Sequence, residues 1–299
     1  VMFDFLRSKR KVKAIIQDFQ PQVAVGVGGY ASAPTLNAAY SMGIPCLIQE
    51  QNSYAGVTNR SLAKKAQKIC VAYSGMERFF PADKIIMTGN PVRQNLLENQ
   101  TSQEEARQSF GLEPDKKTVL IVGGSLGART VNESVLAHLD DIRKSNVQFI
   151  WQTGKYYSQS ISEALEKSEA VPNLKVMDFI GCMDYAYAAA DLVVSRAGAS
   201  SISELCLLGK PCVLVPSPNV AEDHQTQNAL ALSSKDAAIF VADKEAKEKL
   251  VQTALETVTN DERLLSLSEN VKKLAFLNSS DIIAEEVYKL AVEYKKRNN

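Results

Sequence analysis

With 299 residues, the chain is long enough for two domains that each bury a core. Its 34 Lys and Arg balance its 34 Asp and Glu, so charge gives no reason to expect a nucleic-acid partner. The five cysteines, Cys46, Cys70, Cys182, Cys206 and Cys212, form no C-x-x-C pair and read as small buried hydrophobes of a reducing compartment, and no apolar stretch reaches the ~18 residues of a membrane span.

The opening stretch, Val1 to Lys11, sets apolar residues before positive ones, the reverse order of a secretory signal. From Pro21 to about Ala242, short apolar runs alternate with helical patterns. The expected strands are Val23–Val27, Cys46–Gln49, Lys68–Val71, Lys84–Thr88, Thr118–Val122, Gln148–Gln152, Leu174–Met177, Leu192–Ser195 and Cys212–Pro216. Continuous apolar strands separated by helices call for parallel sheets covered on both faces, a doubly wound α/β architecture.

A seam is expected where a strand ends in Gly89, Asn90 and Pro91, ahead of a charged helix from Gln103 to Phe110 that closes at Gly111. The domains are therefore expected at 1–92 and 93–278. A final amphipathic helix within 279–299, with Ile282, Ile283, Val287, Leu290 and Ala291 on one face, is expected to pack back toward the first domain.

Residues 118–129 read as a strand, a turn with Gly123, Gly124 and Gly127, then a helix whose N-terminus is able to receive a pyrophosphate. No Lys-Ser/Thr completes a P-loop, and the next strand ends at Gly154 without the acidic residue of a nicotinamide-ribose site. Residues 26–34, GVGGYASAP, repeat the glycine logic in the first domain, so two such loops are expected to face each other across a cleft. Gln49, Glu50, Gln51 and Asn52 gather at a strand's carboxyl end, as a polyhydroxyl ligand would require. Arg93 at the seam is expected to donate to phosphate. Glu204 lies a few residues into the helix begun by Gly198, Ser200 and Ser201, facing the strand-end crevice where such sheets bind ligands; the serines by themselves read as capping residues. His224 and Gln225 open a later helix with a sugar-binding character, and His138 reads as an ordinary helix residue. No metal-ligand spacing occurs, so no metal and no cofactor are expected.

The stretches GVGGYASAP, QEQN followed by AGVTNR, GNPVR, GGSLGAR, SRAGASSISE and DHQTQNA, in this order, resemble the bacterial cell-wall glycosyltransferase family that makes lipid II, from roughly Pro21 to the C-terminus. The resemblance implies two Rossmann-like lobes of the glycosyltransferase-B fold. It also implies inverting transfer of N-acetylglucosamine from UDP-N-acetylglucosamine to the 4-hydroxyl of undecaprenyl-pyrophosphoryl-N-acetylmuramoyl-pentapeptide, at the cytoplasmic face of the bacterial membrane. On the sugar-donor side it implies that Glu204 accepts the ribose hydroxyls and the main chain of Phe179 and Ile180 reads the uracil edge. Gly124, Ser125 and Arg93 hold the diphosphate, and His224 and Gln225 meet the sugar. Tyr30, Gln49, Gln51 and Asn52 line the acceptor side. Two departures stand out. Gln49 occupies a place where the family usually has His, and the family's Gly-Gly-x-Gly-Gly-His loop, with its proposed base, has no counterpart, so the first lobe reads as truncated and Glu50 is the carboxylate nominated as base. The first eleven residues, with Met2, Phe3, Phe5 and Leu6 beside Arg7, Lys9, Arg10 and Lys11, are then expected to dock an anionic bilayer. Two alternatives stay open: another UDP-sugar transferase with a lipid acceptor, such as a diacylglycerol glucosyltransferase, and a non-catalytic UDP-sugar binder that needs the absent loop.

Overall fold

The computed structural model describes residues 2–93 and 95–298, with the side chains of residues 2–6, 95 and 221 outside that description. Two compact units are present, one formed by Val1–Pro91 with Phe276–Asn299 and the other by Val92–Ala275.

The first unit holds four parallel strands, β1 (Ala24–Gly26), β2 (Cys46–Glu50), β3 (Lys68–Val71) and β4 (Ile85–Met87), paired in that order. Side chains alternate across a strand, so neighbouring residues serve opposite layers. Cys46, Ile48, Ile69 and Val71 join Ile16, Leu36 and Ala39 on one side. Leu47 and Cys70 meet Leu290, with Ile283 and Val287 around them, on the other. The apolar stripe read from the C-terminal sequence is thus the face by which the helix Ser279–Asn298 covers the sheet. At the other end of the chain, the helix Met2–Phe19 buries Ile16 and leaves Ile15 and Phe19 exposed. The side chains of Met2, Phe3, Phe5 and Leu6, expected to dock a bilayer, lie outside the described residues. Among the described residues, no helix is long and apolar enough to cross a membrane.

The second unit carries six parallel strands: β5 (Thr118–Val122), β6 (Gln148–Gln152), β7 (Leu174–Met177), β8 (Leu192–Ser195), β9 (Cys212–Leu214) and β10 (Ile239–Phe240). Their order is β10-β9-β8-β5-β6-β7, so the winding reverses between β5 and β8. That reversal is where an open α/β sheet leaves a crevice outside the carboxyl ends of its strands. The strands β5 and β6 are buried at every position, which is why they read as unbroken apolar runs. The core combines Val119, Ile121, Phe149, Trp151, Val194 and Val213 with residues of the covering helices.

The polar helix Gln103–Ser109 begins with a capping box, Ser102 accepting from the Glu105 N–H while the Glu105 carboxylate accepts from that of Ser102. It is fastened by buried Arg107, whose guanidinium donates to the Asp191 carboxylate at 2.7 Å and to the Ala189 carbonyl at 3.2 Å. The same Asp191 oxygen accepts the Thr118 N–H at 2.7 Å, so one carboxylate links the helix, β5 and the entry to β8.

Candidate functional site

A cavity of about 980 Å³ lies at the carboxyl ends of β5 and β8, wholly within the second unit. Its floor is the turn after β5. There Gly127, with φ +80°, lies so close to the next loop that a Cβ on it would come within 2.1 Å of the Thr153 carbonyl oxygen. Gly154, with φ +84°, is its counterpart, and a Cβ there would meet the Gly127 nitrogen at 2.3 Å. The two loops are interlocked glycine against glycine, an approach only residues without Cβ allow. Gly124 and Ser125 are exposed on the cavity side of this pair.

Gln152, the last residue of β6, ties three pieces together. Its Nε2 donates to the Gly124 carbonyl at 3.0 Å, and its Oε1 accepts the Ile180 N–H at 3.1 Å. Ile180 is buried and its neighbour Phe179 is half exposed, with the Lys155 ammonium 5.8 Å from the ring centre. Of the main chain of Phe179 and Ile180, expected to read a uracil edge, the Ile180 N–H is engaged by Gln152.

The helix Ala199–Leu208 starts at Gly198 without a side-chain cap, so its serines do not perform the capping role their type suggests. Gly198, Ser200 and Ser201 instead line the cavity, with the open helix start beside them. In the second turn, Glu204 is buried at 8 % exposure, with its carboxylate on the cavity wall. Arg93 donates to Glu204 Oε1 through Nε at 3.1 Å, and its Nη2 lies 3.1 Å from the same oxygen as an ion pair. Tyr187 donates its hydroxyl to Glu204 Oε2 at 2.9 Å. Burial first, and then the charge and hydrogen bond of Glu204, push the Tyr187 phenol well above its ordinary pKa, so it remains a proton donor.

On the far wall, Gln225 lines the cavity and accepts the Ser217 N–H at 2.8 Å, holding the loop after β9. His224 is absent from the cavity lining among the described residues; its Nε2 lies 3.5 Å from the Glu222 carboxylate. Glu222 and Asp223 both adopt left-handed backbone, at φ 55° and 53°, a conformation costly for residues with a Cβ. Arg196 bridges to Asp243 and to the Val215 and Pro216 carbonyls, and Asp243 also accepts the Thr130 hydroxyl at 3.0 Å. Gln152, Tyr187, Arg196 and Asp243 were not expected from sequence. Their partners lie between 17 and 113 residues away in the chain, and no local pattern announces them.

The residues expected on the acceptor side lie in the first unit, where most are bound to each other. Glu50 is buried at 1 % exposure. Its Oε1 accepts from the Asn52 N–H at 3.0 Å and Nδ2 at 3.3 Å, and its Oε2 accepts from the Gly56 N–H at 3.1 Å and Asn59 Nδ2 at 2.8 Å. A carboxylate offers about four acceptor positions, so these four bonds saturate it. To act as the base for which it is nominated, Glu50 would have to exchange one of these bonds for a proton. Gln49, also buried, donates to Asn90 Oδ1 at 2.8 Å. Asn90 donates to the Gln51 carbonyl at 3.0 Å, and Gln51 donates to the Val27 carbonyl at 3.1 Å. The polar cluster is largely a brace between the ends of β1 and β2 and the residue ahead of Pro91. Asn52 is half-buried, and Tyr30, 99 % exposed, is the member that projects fully outward.

Comparison with known proteins bears on both units. Residues 118–285 match the glycosyltransferase family 28 C-terminal domain, and residues 1–71 match the family 28 N-terminal domain. A protein of Bacteroides fragilis named UDP-N-acetylglucosamine--N-acetylmuramyl-(pentapeptide) pyrophosphoryl-undecaprenol N-acetylglucosamine transferase is 64% identical over 292 residues, 97% of this chain and 77% of its own length. A protein of the same name from Porphyromonas gingivalis is 54% identical over 297 residues, 98% of this chain and 77% of its own. Among solved structures, MurG of Acinetobacter baumannii superimposes with a TM-score of 0.77 at 28% identity, covering 97% of this chain and 81% of that one. The UDP-GlcNAc 2-epimerase of Neisseria meningitidis bound to UDP-GlcNAc, at 16% identity and a TM-score of 0.69 over 95% of this chain and 81% of that one, shares the fold.

Proposed function

The chain belongs to glycosyltransferase family 28, and from that premise we propose that it transfers N-acetylglucosamine from UDP-N-acetylglucosamine to N-acetylmuramyl-(pentapeptide) pyrophosphoryl-undecaprenol, forming lipid II in peptidoglycan synthesis. The observation that carries this reading is the cavity at the β5/β8 reversal. A buried carboxylate, a flexible guanidinium, a glycine turn and an open helix start converge there on one surface of nucleotide-sugar size.

In this reading Glu204 receives the ribose hydroxyls. The diphosphate lies over Gly124, Ser125 and the start of the helix Ala199–Leu208, within reach of Arg93, and Gln225 meets the sugar. The muramoyl 4-hydroxyl attacks the anomeric carbon and gives its proton to a general base, the bond to the UDP oxygen breaks, and UDP departs with its charge held by backbone N–H groups and Arg93. The geometry inverts because attack and departure are on opposite faces. Glu50 braces the acceptor-side loop through its four hydrogen bonds.

The undecaprenyl tail of the acceptor confines that substrate to a bilayer, so the chain works at the cytoplasmic membrane surface. Arg7, Arg10 and Lys11, exposed on the first helix, suit an anionic headgroup layer, where each cation near the surface contributes ~1 kcal/mol. Co-sedimentation with anionic vesicles tests this: reversing Arg10 and Lys11 to Glu should reduce the bound fraction, and unchanged binding counts against the proposal.

Calorimetric titration with UDP-N-acetylglucosamine, with UDP-glucose as comparison, tests the sugar-donor reading. Selective binding of the first is expected, together with turnover of the lipid-linked acceptor. Binding of neither nucleotide sugar, or equal binding of both, overturns the assignment.

A further inference from the structure

The candidate cavity contains a residue that neither the sequence motifs nor the proposed reaction uses. Tyr187, in the helix Met183–Ala189, is 3 % exposed, and its hydroxyl lies 2.9 Å from Glu204 Oε2. We propose that Tyr187 is a positioning residue for ribose recognition, fixing Oε2 of Glu204 so that the carboxylate presents one orientation to the 2′- and 3′-hydroxyls of the nucleotide. The inference rests on the reading of Glu204 as the ribose acceptor.

The argument is one of counting lone pairs. A carboxylate has about four acceptor positions. Arg93 donates to Oε1 through Nε, with Nη2 at ion-pair distance from the same oxygen, and Tyr187 uses one position of Oε2. About two positions thus remain for the two hydroxyls of a ribose diol, one of them on the oxygen that Arg93 contacts, and the Arg93 side chain is 53% exposed and able to swing away. Tyr187 has no such freedom, being packed in the wall, and it offers its single proton to a buried oxygen. Its bond therefore persists while the Arg93 contact is exchangeable. Without that bond, Oε2 is buried without its phenol partner, and the carboxylate turns about its last torsion, which is soft for an sp³–sp² bond. The diol then meets an acceptor distributed over several orientations.

The discriminating experiment is calorimetric titration of wild type, Tyr187→Phe and Glu204→Gln with UDP and with 2′,3′-dideoxy-UDP. Wild type is expected to bind UDP at least ~10-fold tighter than the dideoxy nucleotide, the range for hydrogen bonds to a charged acceptor. Tyr187→Phe should lose about 5- to 20-fold for UDP while its affinity for the dideoxy nucleotide changes less than about 2-fold. In the Glu204→Gln background, Tyr187→Phe should leave the residual discrimination unchanged. Equal affinity of wild type for the two nucleotides would sink the ribose reading of Glu204 itself. Discrimination retained in full by Tyr187→Phe, or equal weakening of both nucleotides, would overturn the positioning role and leave that reading intact. Should Tyr187→Phe fail to fold, wild type labelled with 13C at tyrosine Cζ supplies the same decision. UDP is expected to shift the Tyr187 resonance and dideoxy-UDP to leave it in place, and identical shifts from both would overturn the role.

Discussion

The Arg93 guanidinium lies against a single oxygen of Glu204, its Nε donating to Oε1 at 3.1 Å and its Nη2 3.1 Å from the same atom. The two residues were expected to serve different parts of one nucleotide, Arg93 its diphosphate and Glu204 its ribose, yet they are partners. Ribose and guanidinium thus meet at the same carboxylate, and a diphosphate gives the guanidinium somewhere else to go. Glu204→Ala is expected to weaken UDP binding by roughly 1.5–3 kcal/mol, the usual contribution of a charge-assisted hydrogen bond. Arg93→Ala should weaken UDP but leave uridine, which has no phosphate, as tight or tighter. Calorimetry with both ligands decides the matter, and a parallel loss for uridine would remove Arg93 from the phosphate role.

The glycine pair under the cavity makes a second prediction with an internal control. Gly154→Ala sets a Cβ 2.3 Å from the Gly127 nitrogen at φ +84°, combining backbone strain with overpacking against main chain. A loss of roughly 2–4 kcal/mol in urea unfolding is expected, with UDP affinity falling as the turn is displaced. Gly124 has a similar φ of +85° but nothing within 4 Å of its added Cβ. Gly124→Ala should therefore cost only about 1–2 kcal/mol, from the left-handed conformation alone. Equal losses at the two positions would show that contact between the loops is unimportant.

These positions also show what the sequence made legible. Thr118–Val122 and Gln148–Gln152 were readable as strands because burial on both faces demands an apolar run, and Ile283, Val287 and Leu290 were readable as a stripe because helix period and burial agree. The strand Ile239–Phe240 has two half-buried residues at a sheet edge, too few to form a pattern. The role of the polar residues 49–52 was not legible for a different reason. A strand's carboxyl end needs hydrogen-bonding side chains to brace its loop as much as to hold a ligand, and residue type does not say which. Tyr187 was concealed inside an alanine-rich helix, since its role depends on a carboxylate 17 residues on.

The brace formed by Glu50 leads to a third prediction. Glu50→Ala strips four donors of their acceptor in a site with 1 % exposure. The expected loss is roughly 2–4 kcal/mol, seen as a lower melting temperature, because buried unsatisfied donors keep their full desolvation cost. Glu50→Gln restores size but turns an NH₂ toward at least one of those donors, so it should also unfold earlier than wild type. A base would behave otherwise: Glu50→Gln with wild-type melting and abolished turnover would establish the catalytic role.

Lys210 links pH to the stability of the second unit. Its ammonium donates to the Ala190 carbonyl at 2.9 Å beside the Arg107–Asp191 pair. Burial above all, aided by the charges of Arg107 and Lys272 and opposed by Asp191, lowers its pKa from 10.5 to about 8. A lysine with a depressed native pKa binds fewer protons folded than unfolded between those values, so its contribution makes stability rise with pH from about 8 to 10.5. Below about 8 both states are protonated and the whole cost of burying the charge is present. Above 10.5 both are neutral and the cost is gone. Lys210→Met removes the titrating group, so the variant should be more stable than wild type by about 1–3 kcal/mol at neutral pH, with the advantage shrinking as pH rises through that window. Urea unfolding of both proteins at several pH values isolates this group, since the other titrations are common to the pair. A difference that stays constant with pH would mean that Lys210 keeps its ordinary pKa and is held by water rather than by the fold.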